Sequence, residues 1–293
     1  MATNNSQSPS GQTIFKTFHD SSFFRESRAP ALPSPAEIRR LNEAAGDFRA
    51  FYRDRTNPVI IPELGLVVKY GTEVTLSELE AQLLVREKLG DKVPVPEVFA
   101  WAEDDEQGFI YMALIEGDTL QSRFKDMNEE ERVGVCAELR LMTEAWRGLS
   151  QDASEPYVGS VGKRPVLDYY ATTRRGAVGP YDGPDAVRDF HARCNIGIEE
   201  RFHICFTHND LCPPNILISK GPYPKVVGII DYGQAGWYPS YWEYMKATRV
   251  GHLQEFFGTE LYAEWVAKYL PMFLDPVADN ISQAWGLFYI RSI

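Results

Sequence analysis

The stretch Thr207-His208-Asn209-Asp210-Leu211-Cys212-Pro213-Pro214-Asn215 sets an acid ahead of an amide in the pattern HxDxxxxN, and its two prolines keep it from continuing as a helix. Phosphoryl transfer needs a carboxylate to orient and deprotonate an attacking hydroxyl, with an oxygen ligand beside it for the magnesium that neutralises the phosphates. Asp210 suits the first task as catalytic base and Asn215 the second. A little downstream, Val226-Val227-Gly228-Ile229-Ile230-Asp231-Tyr232-Gly233 reads as a buried strand that ends by presenting an acid and then turns at glycine. Asp231 is thereby placed to bridge metal and phosphates. Taken singly, each piece is matched by ordinary strand-end caps and turn formers; in this order, with one short hairpin between them, they point to a single site. His208 invites comparison with a hydrolytic triad, but no GxSxG nucleophile elbow occurs, and a histidine bracing the catalytic loop is the reading adopted. Cys212 reads as a small packed residue rather than a reactive thiol.

These groups need a scaffold. Lys69 ends the apolar run Leu66-Val67-Val68, and Glu80 lies in the first turns of the next helix. A lysine so placed contacts nucleotide phosphates if an acid holds it. Glu78 competes for that role; spacing from Pro94-Val95-Pro96 favours Glu80. Ser34, Pro35 and Glu37 supply an N-cap, a first-turn proline and a capping-box acid for a helix carrying Ile38, Leu41, Ala45 and Phe48. Val59 to Ile61 and Leu64 to Lys69 read as a hairpin, Thr75 and Glu78 as a second capping box, and Val98 to Trp101 and Phe109 to Ile115 as strands around an acidic turn. Beyond Gly117 the chain reads as largely helical: Asn128 to Leu149 forms an amphipathic helix with Val135, Leu139, Met142, Trp146 and Leu149 on one stripe. The exception is 204–231, with short strands at Ile216 to Ile218 and Val226 to Ile230. The expectation is an α+β chain with an N-terminal arm over 1–33, a small β-sheet lobe with a helix over 34–116, and a larger, mainly helical lobe over 117–293.

A formal net charge of -11 opposes nucleic-acid binding, which needs clustered Lys and Arg. No apolar run approaches the length of a membrane span, and the polar opening MATNNSQSPSG lacks the basic and apolar segments of a secretory signal. With Cys136, Cys194, Cys205 and Cys212 in no CxxC pair, a cytoplasmic protein with free thiols and no cysteine zinc site is expected. Glu255, Glu260, Glu264, Asp275 and Asp279 on the C-terminal helices offer an acidic wall for a cationic acceptor; a solvated helix face accounts for the same charges and is preferred.

Together these segments resemble the aminoglycoside phosphotransferase family, particularly its large fungal branch, from about Val59 to the C-terminus. The matching pieces are Val67 to Gly71, Glu78 to Val85, Val93 to Pro96, Tyr111-Met112 with Gly117 to Leu120, the HxDxxxxN loop, and Ile229-Ile230-Asp231 continuing to Ala235-Gly236-Trp237-Tyr238-Pro239. The resemblance implies a bilobal, protein-kinase-like fold and an ATP- and magnesium-dependent kinase for a small hydroxyl-bearing molecule. It makes Met112 the guard of the adenine pocket and assigns main-chain groups of Ala113 and Ile115 to the adenine edge. Trp237, Tyr241, Trp242 and Glu243 match a fungal-branch signature read as packing against the catalytic lobe. Two departures stand out: Asn209 occupies a position where the family commonly has glycine, and no glycine-rich phosphate-covering loop precedes Lys69, where Asp54 to Pro58 and Pro62 to Gly65 stand instead. The second keeps open an alternative, a nucleotide-binding or scaffolding pseudokinase. No activation segment ending in Ala-Pro-Glu follows Asp231, which disfavours protein substrates.

Overall fold

The structure, a computed structural model, describes residues 13–46, 48–54, 56–151, 154–176 and 178–292. Residues 1–12 of the expected N-terminal arm, and Arg55 in the segment preceding the first hairpin, lie outside the described residues. The chain divides into two compact units, one of residues 1–79 with 96–114 and one of residues 80–95 with 115–293.

The first unit is built on an antiparallel sheet of β1 (Ile14–Thr17), β2 (Val59–Ile61), β3 (Leu66–Gly71), β4 (Val98–Asp104) and β5 (Gln107–Ala113), in the order β1-β4-β5-β3-β2. The hairpin expected at Val59 to Lys69 is present. Pro62–Leu64 make a short 3-10 turn, and Gly65 closes it in the left-handed region at φ 56°. The acidic turn between β4 and β5 uses Asp105 and Glu106, both at positive φ, the twist that a two-residue hairpin requires. The helices here are α1 (Ser22–Arg25), α2 (Pro35–Ala44) and the first turn of α3 (Leu76–Leu89). Ser34 and Glu37 form the capping box that the sequence signals at α2. The N-terminal arm is part of this unit. β1 pairs with β4, Ser22 donates to Glu97, and Phe23 is fully buried in a core with Ile38, Val68, Phe99 and Tyr111.

The second unit carries α4 (Leu120–Arg123), α5 (Glu129–Arg147), α6 (Tyr169–Thr172), α7 (Ala186–Cys194), α8 (Trp242–Ala247), α9 (Gly251–Phe257), α10 (Thr259–Glu264), α11 (Leu270–Phe273) and α12 (Asp279–Ser292). Asn128 and Glu131 cap α5 reciprocally, and Val135, Leu139, Met142 and Trp146 of its expected stripe are buried, while Leu149 lies beyond the helix end at Arg147 and is half-buried. A three-stranded sheet joins β6 (Asp118–Thr119), β10 (Ile216–Ile218) and β11 (Val226–Ile229). A second sheet, in the order β8-β7-β12-β9, is formed by β7 (Tyr157–Ser160), β8 (Tyr181–Asp182), β9 (Ile204–Thr207) and β12 (Gly236–Pro239). Sequence reading anticipates only part of it. β7 and β12 are four residues long and buried throughout, so they carry no alternation to mark them as strands. Gly236 on β12 is required sterically: a Cβ there would lie 2.6 Å from the Gly159 carbonyl oxygen. Among the described residues no helix is long and apolar enough to cross a membrane.

The burial of Phe23 makes the docking of the N-terminal arm testable. Phe23→Ala should cost about 3–5 kcal/mol, read as a lower midpoint in urea unfolding; an unchanged midpoint would show that the arm does not pack.

Candidate active site

Two registers bring the polar residues together in the second unit. Thr207 faces Gly236 in the β9–β12 pair, which fixes where the loop starting at His208 leaves the sheet. Ile216 faces Ile229 in the β10–β11 pair, so their outer neighbours also meet, and the Ile230 N–H donates to the Asn215 carbonyl at 3.0 Å. Asp231 follows directly, in the left-handed region at φ 66°, a backbone state that costs a non-glycine residue about 1 kcal/mol or more.

Asp210 and Asn215 are in contact. The Asn215 Nδ2 donates to the Asp210 carboxylate at 3.0 Å and to its main-chain carbonyl at 2.9 Å. The Asn215 Oδ1 is thereby the atom of that amide left to act as a ligand. Cys212 sits between these groups: its Sγ is 3.8 Å from the Asp210 carboxylate, and its thiol is held well above the usual range by burial and by the charges of Asp210 and Asp231. Such a thiol stays protonated, in keeping with a packed residue. His208 is hydrogen-bonded on both ring nitrogens. Its Nε2 lies 3.0 Å from the Ile230 carbonyl, which requires a proton on Nε2 and leaves Nδ1 to accept the Asp210 N–H at 3.3 Å. The imidazole is fully buried and rests against Tyr232, with ring centroids 4.7 Å apart.

Beneath the loop lies a support that sequence reading found only in part. Glu243, taken there as a packing residue, accepts the Asn209 N–H at 2.8 Å and the Trp146 indole N–H at 3.3 Å. Burial pushes this carboxyl up to about 7, against the opposing pull of those donors and of Arg147. Asn209 is at φ 67°, a backbone conformation that asparagine is among the few residues besides glycine to tolerate. Its side chain adds what glycine lacks, with Nδ2 donating to Asp168 Oδ2 at 3.1 Å and to the Gln234 carbonyl at 3.0 Å. Asp168 is fully buried and also accepts from Trp242 Nε1 and Lys246 Nζ, each at 3.0 Å. No motif marks Asp168, since it meets the loop only through the fold.

In the first unit, Lys69 on β3 is held by Glu78 at 2.5 Å, and Glu78 is 2 % exposed. This corrects the expectation that Glu80 is the partner. Glu78 looks like the acid of a capping box, and Thr75 Oγ1 does accept its N–H at 3.3 Å, but its carboxylate goes to the lysine. Glu80, two residues on and about 200° around the helix, belongs to the second unit, where Arg164 grips both of its oxygens. Met112 and Ala113 end β5 opposite Val67 and Leu66. The Ala113 N–H is already engaged by the Glu97 carbonyl at 2.8 Å, so it is not the group that would meet an adenine edge. Ile115, in the second unit, packs on Gly228 of β11, where an added Cβ would come within 2.9 Å of its Cδ1.

Residues 65–279 match the sequence profile of the Phosphotransferase enzyme family. No curated protein matches the chain in sequence. Among solved structures, an aminoglycoside phosphotransferase from Streptomyces rimosus is similar at 17% identity and a TM-score of 0.52, covering 88% of this chain and 98% of its own. The same protein with ADP and streptomycin gives 16% identity and 0.54, with the same coverage. An aminoglycoside-3'-phosphotransferase of type VIII gives 18% and 0.50, covering 76% of this chain and 83% of its own. The α+β, protein-kinase-like fold expected from sequence is thus the fold found.

Two consequences follow for the loop and its support. Asn209→Gly keeps the left-handed backbone and loses the tethers, whereas Asn209→Ala loses both, so the alanine variant should be less stable than the glycine variant by about 1 kcal/mol in urea unfolding; equal stabilities would refute the backbone argument. For Glu243, both folded and unfolded chains carry its proton below about 4.5, and between about 4.5 and about 7 only the folded chain does. Stability from this group is therefore lost as pH rises through that window. Glu243→Gln should flatten the slope of stability against pH there, and an unaltered slope would mean that the carboxyl titrates normally.

Proposed function

Because the chain belongs to the Phosphotransferase enzyme family, we propose that it transfers the γ-phosphoryl group of ATP to a hydroxyl of a small molecule, with Asp210 as catalytic base. The acceptor oxygen forms a bond to the γ-phosphorus while the bond from that phosphorus to the β,γ-bridging oxygen breaks. ADP leaves with that electron pair, and the acceptor proton passes to the Asp210 carboxylate. The ADP bound to the Streptomyces rimosus neighbour accords with a nucleotide donor.

The observations that support this reading are the contacts of Asn215 with Asp210 and of Cys212 with both, and the main-chain hydrogen bond that brings Ile230, the residue before Asp231, to Asn215. The donors fit magnesium: hard oxygens only, with Asn215 Oδ1 turned from Asp210 by its own amide hydrogen bonds. Asn215 and Asp231 would hold the ion, which supplies charge neutralisation for the phosphates. Among the described residues no cluster of three or more His, Cys, Asp or Glu side chains forms a metal site, and two protein ligands completed by phosphates and water suit magnesium's usual habit. Lys69, held by Glu78, would supply a cation for the phosphates, and His208 would position the base through the Asp210 N–H.

A second reading, a nucleotide-binding or scaffolding pseudokinase, draws on the segment ahead of β2. It is tied down at Thr56, whose hydroxyl donates to the Tyr70 carbonyl, and at Arg53, whose carbonyl accepts the Thr72 N–H; a glycine-rich flap would be free to close. Turnover separates the two. Asp210→Ala should lower the rate of ATP-dependent phosphorylation by about two to four orders of magnitude while magnesium–ATP still raises the melting temperature. Undiminished turnover in that variant would refute Asp210 as base, and wild-type protein stabilised by nucleotide yet inert toward hydroxylated metabolites would favour the pseudokinase.

A further inference from the structure

The same buried tethers that hold the catalytic loop also hold a set of aromatic side chains that phosphate chemistry leaves unused. Asp168, bonded to Asn209, caps α6 by accepting the Ala171 N–H at 2.8 Å. Gln234, three residues past Asp231, accepts the Tyr169 N–H at 2.9 Å and gives its carbonyl to Asn209 at 3.0 Å. Tyr169 and Tyr170 are therefore fixed with respect to Asp210, the next residue after Asn209. The charge of Asp210 is itself among the causes that raise the Tyr170 phenol, after burial and the charges of Tyr289 and Asp168.

Around Tyr170 the rings of Tyr169, Tyr289 and Trp285 stand edge-on, with centroids 5.6, 5.0 and 6.1 Å away. Tyr169 is 59% exposed, so the patch offers a ring to solvent beside the loop. Two cations of the chain meet these rings, one of them, Lys246, already paired with the buried Asp168. Lys246 Nζ lies 4.5 Å from the centre of the Tyr170 ring and the exposed Arg249 guanidinium 5.5 Å from that of Tyr289. Those ring faces are already engaged by the protein's own cations and do not form an empty cage for an ammonium group. Of the acids on the C-terminal helices, Glu264 is paired with Lys268 and Asp275 with Arg140 and Arg147, and nearer the loop Asp168 is paired with Lys246.

Resting on the assignment of Asp210 as base, we propose that Tyr169, Tyr170 and Arg249 form the acceptor platform and that it takes a planar, hydroxyl-bearing aromatic compound, neutral or anionic, in preference to a polycation. Stacking on Tyr169 would supply affinity, and Arg249 would favour a carboxylate over an ammonium.

Intrinsic fluorescence of the purified full chain can be titrated with 4-(hydroxymethyl)benzoate as the planar probe and with streptomycin as the cationic one. The planar probe should bind at least tenfold more tightly. Tyr169→Ala, at an exposed position, should weaken it about tenfold, and Arg249→Glu at least threefold. Equal or tighter binding of streptomycin, no measurable binding of the planar probe, or indifference to both substitutions would each overturn the platform. Melting temperature with magnesium–ATP, recorded on the same samples, reports the nucleotide site separately. A normal nucleotide shift with a failed platform leaves the kinase reading in place, whereas probe binding without a nucleotide shift supports the platform and counts against the kinase.

Discussion

The role proposed for Asp210 requires its carboxylate to be open to a substrate, and such a group cannot also anchor the loop that carries it, so the loop has to be fixed through its neighbours. Here that falls to Asn209, whose main-chain N–H is taken by Glu243 and whose amide is taken by Asp168 and Gln234. On the other side, His208 reaches the Ile230 carbonyl and ties the loop to the strand end that presents Asp231. Asp210, between them, has its main chain held and its carboxylate directed by Asn215. Preorganisation of this kind matters because small displacements of reacting groups are expensive in rate.

The supports are themselves costly to build. Asp168 and Lys246 are 0 % and 7 % exposed, a buried ion pair whose desolvation offsets much of its attraction. Its remaining hydrogen-bonding capacity is used, by Trp242 and Ala171 on the acid and by Gln234 on the lysine. What such a network contributes is geometric definition more than stability. Glu243 goes further, having no lysine or arginine ion pair among the described residues, and its raised carboxyl records that cost.

Legibility from sequence followed the range of the interaction. The capping box at Ser34 and, in the stripe of α5, Val135, Leu139, Met142 and Trp146 are local patterns and were found as read. Asp210 and Asn215 precede one short hairpin and Asp231 follows it, so an expectation that they are neighbours needs only local sequence. The partner of Lys69 was not: Glu78 and Glu80 differ by two places, and the landmark used to choose between them lay beyond the helix, whereas the direction each side chain takes around that helix decides the matter. Asp168 is 41 residues from Asn209 and reaches it across a sheet whose short buried strands carry no periodic signal.

The position of β1 has a consequence for how the sheet meets its surroundings. A strand at the margin of a sheet offers unpaired amides and carbonyls to any other extended chain. Residues 14–17 cover that margin on β4, and Thr13 adds a clasp to Asp104. A shortened chain that starts at α2 would bare the outer rim of β4, and self-association through edge-to-edge pairing would compete with folding even with Lys69, Asp210, Asn215 and Asp231 all intact.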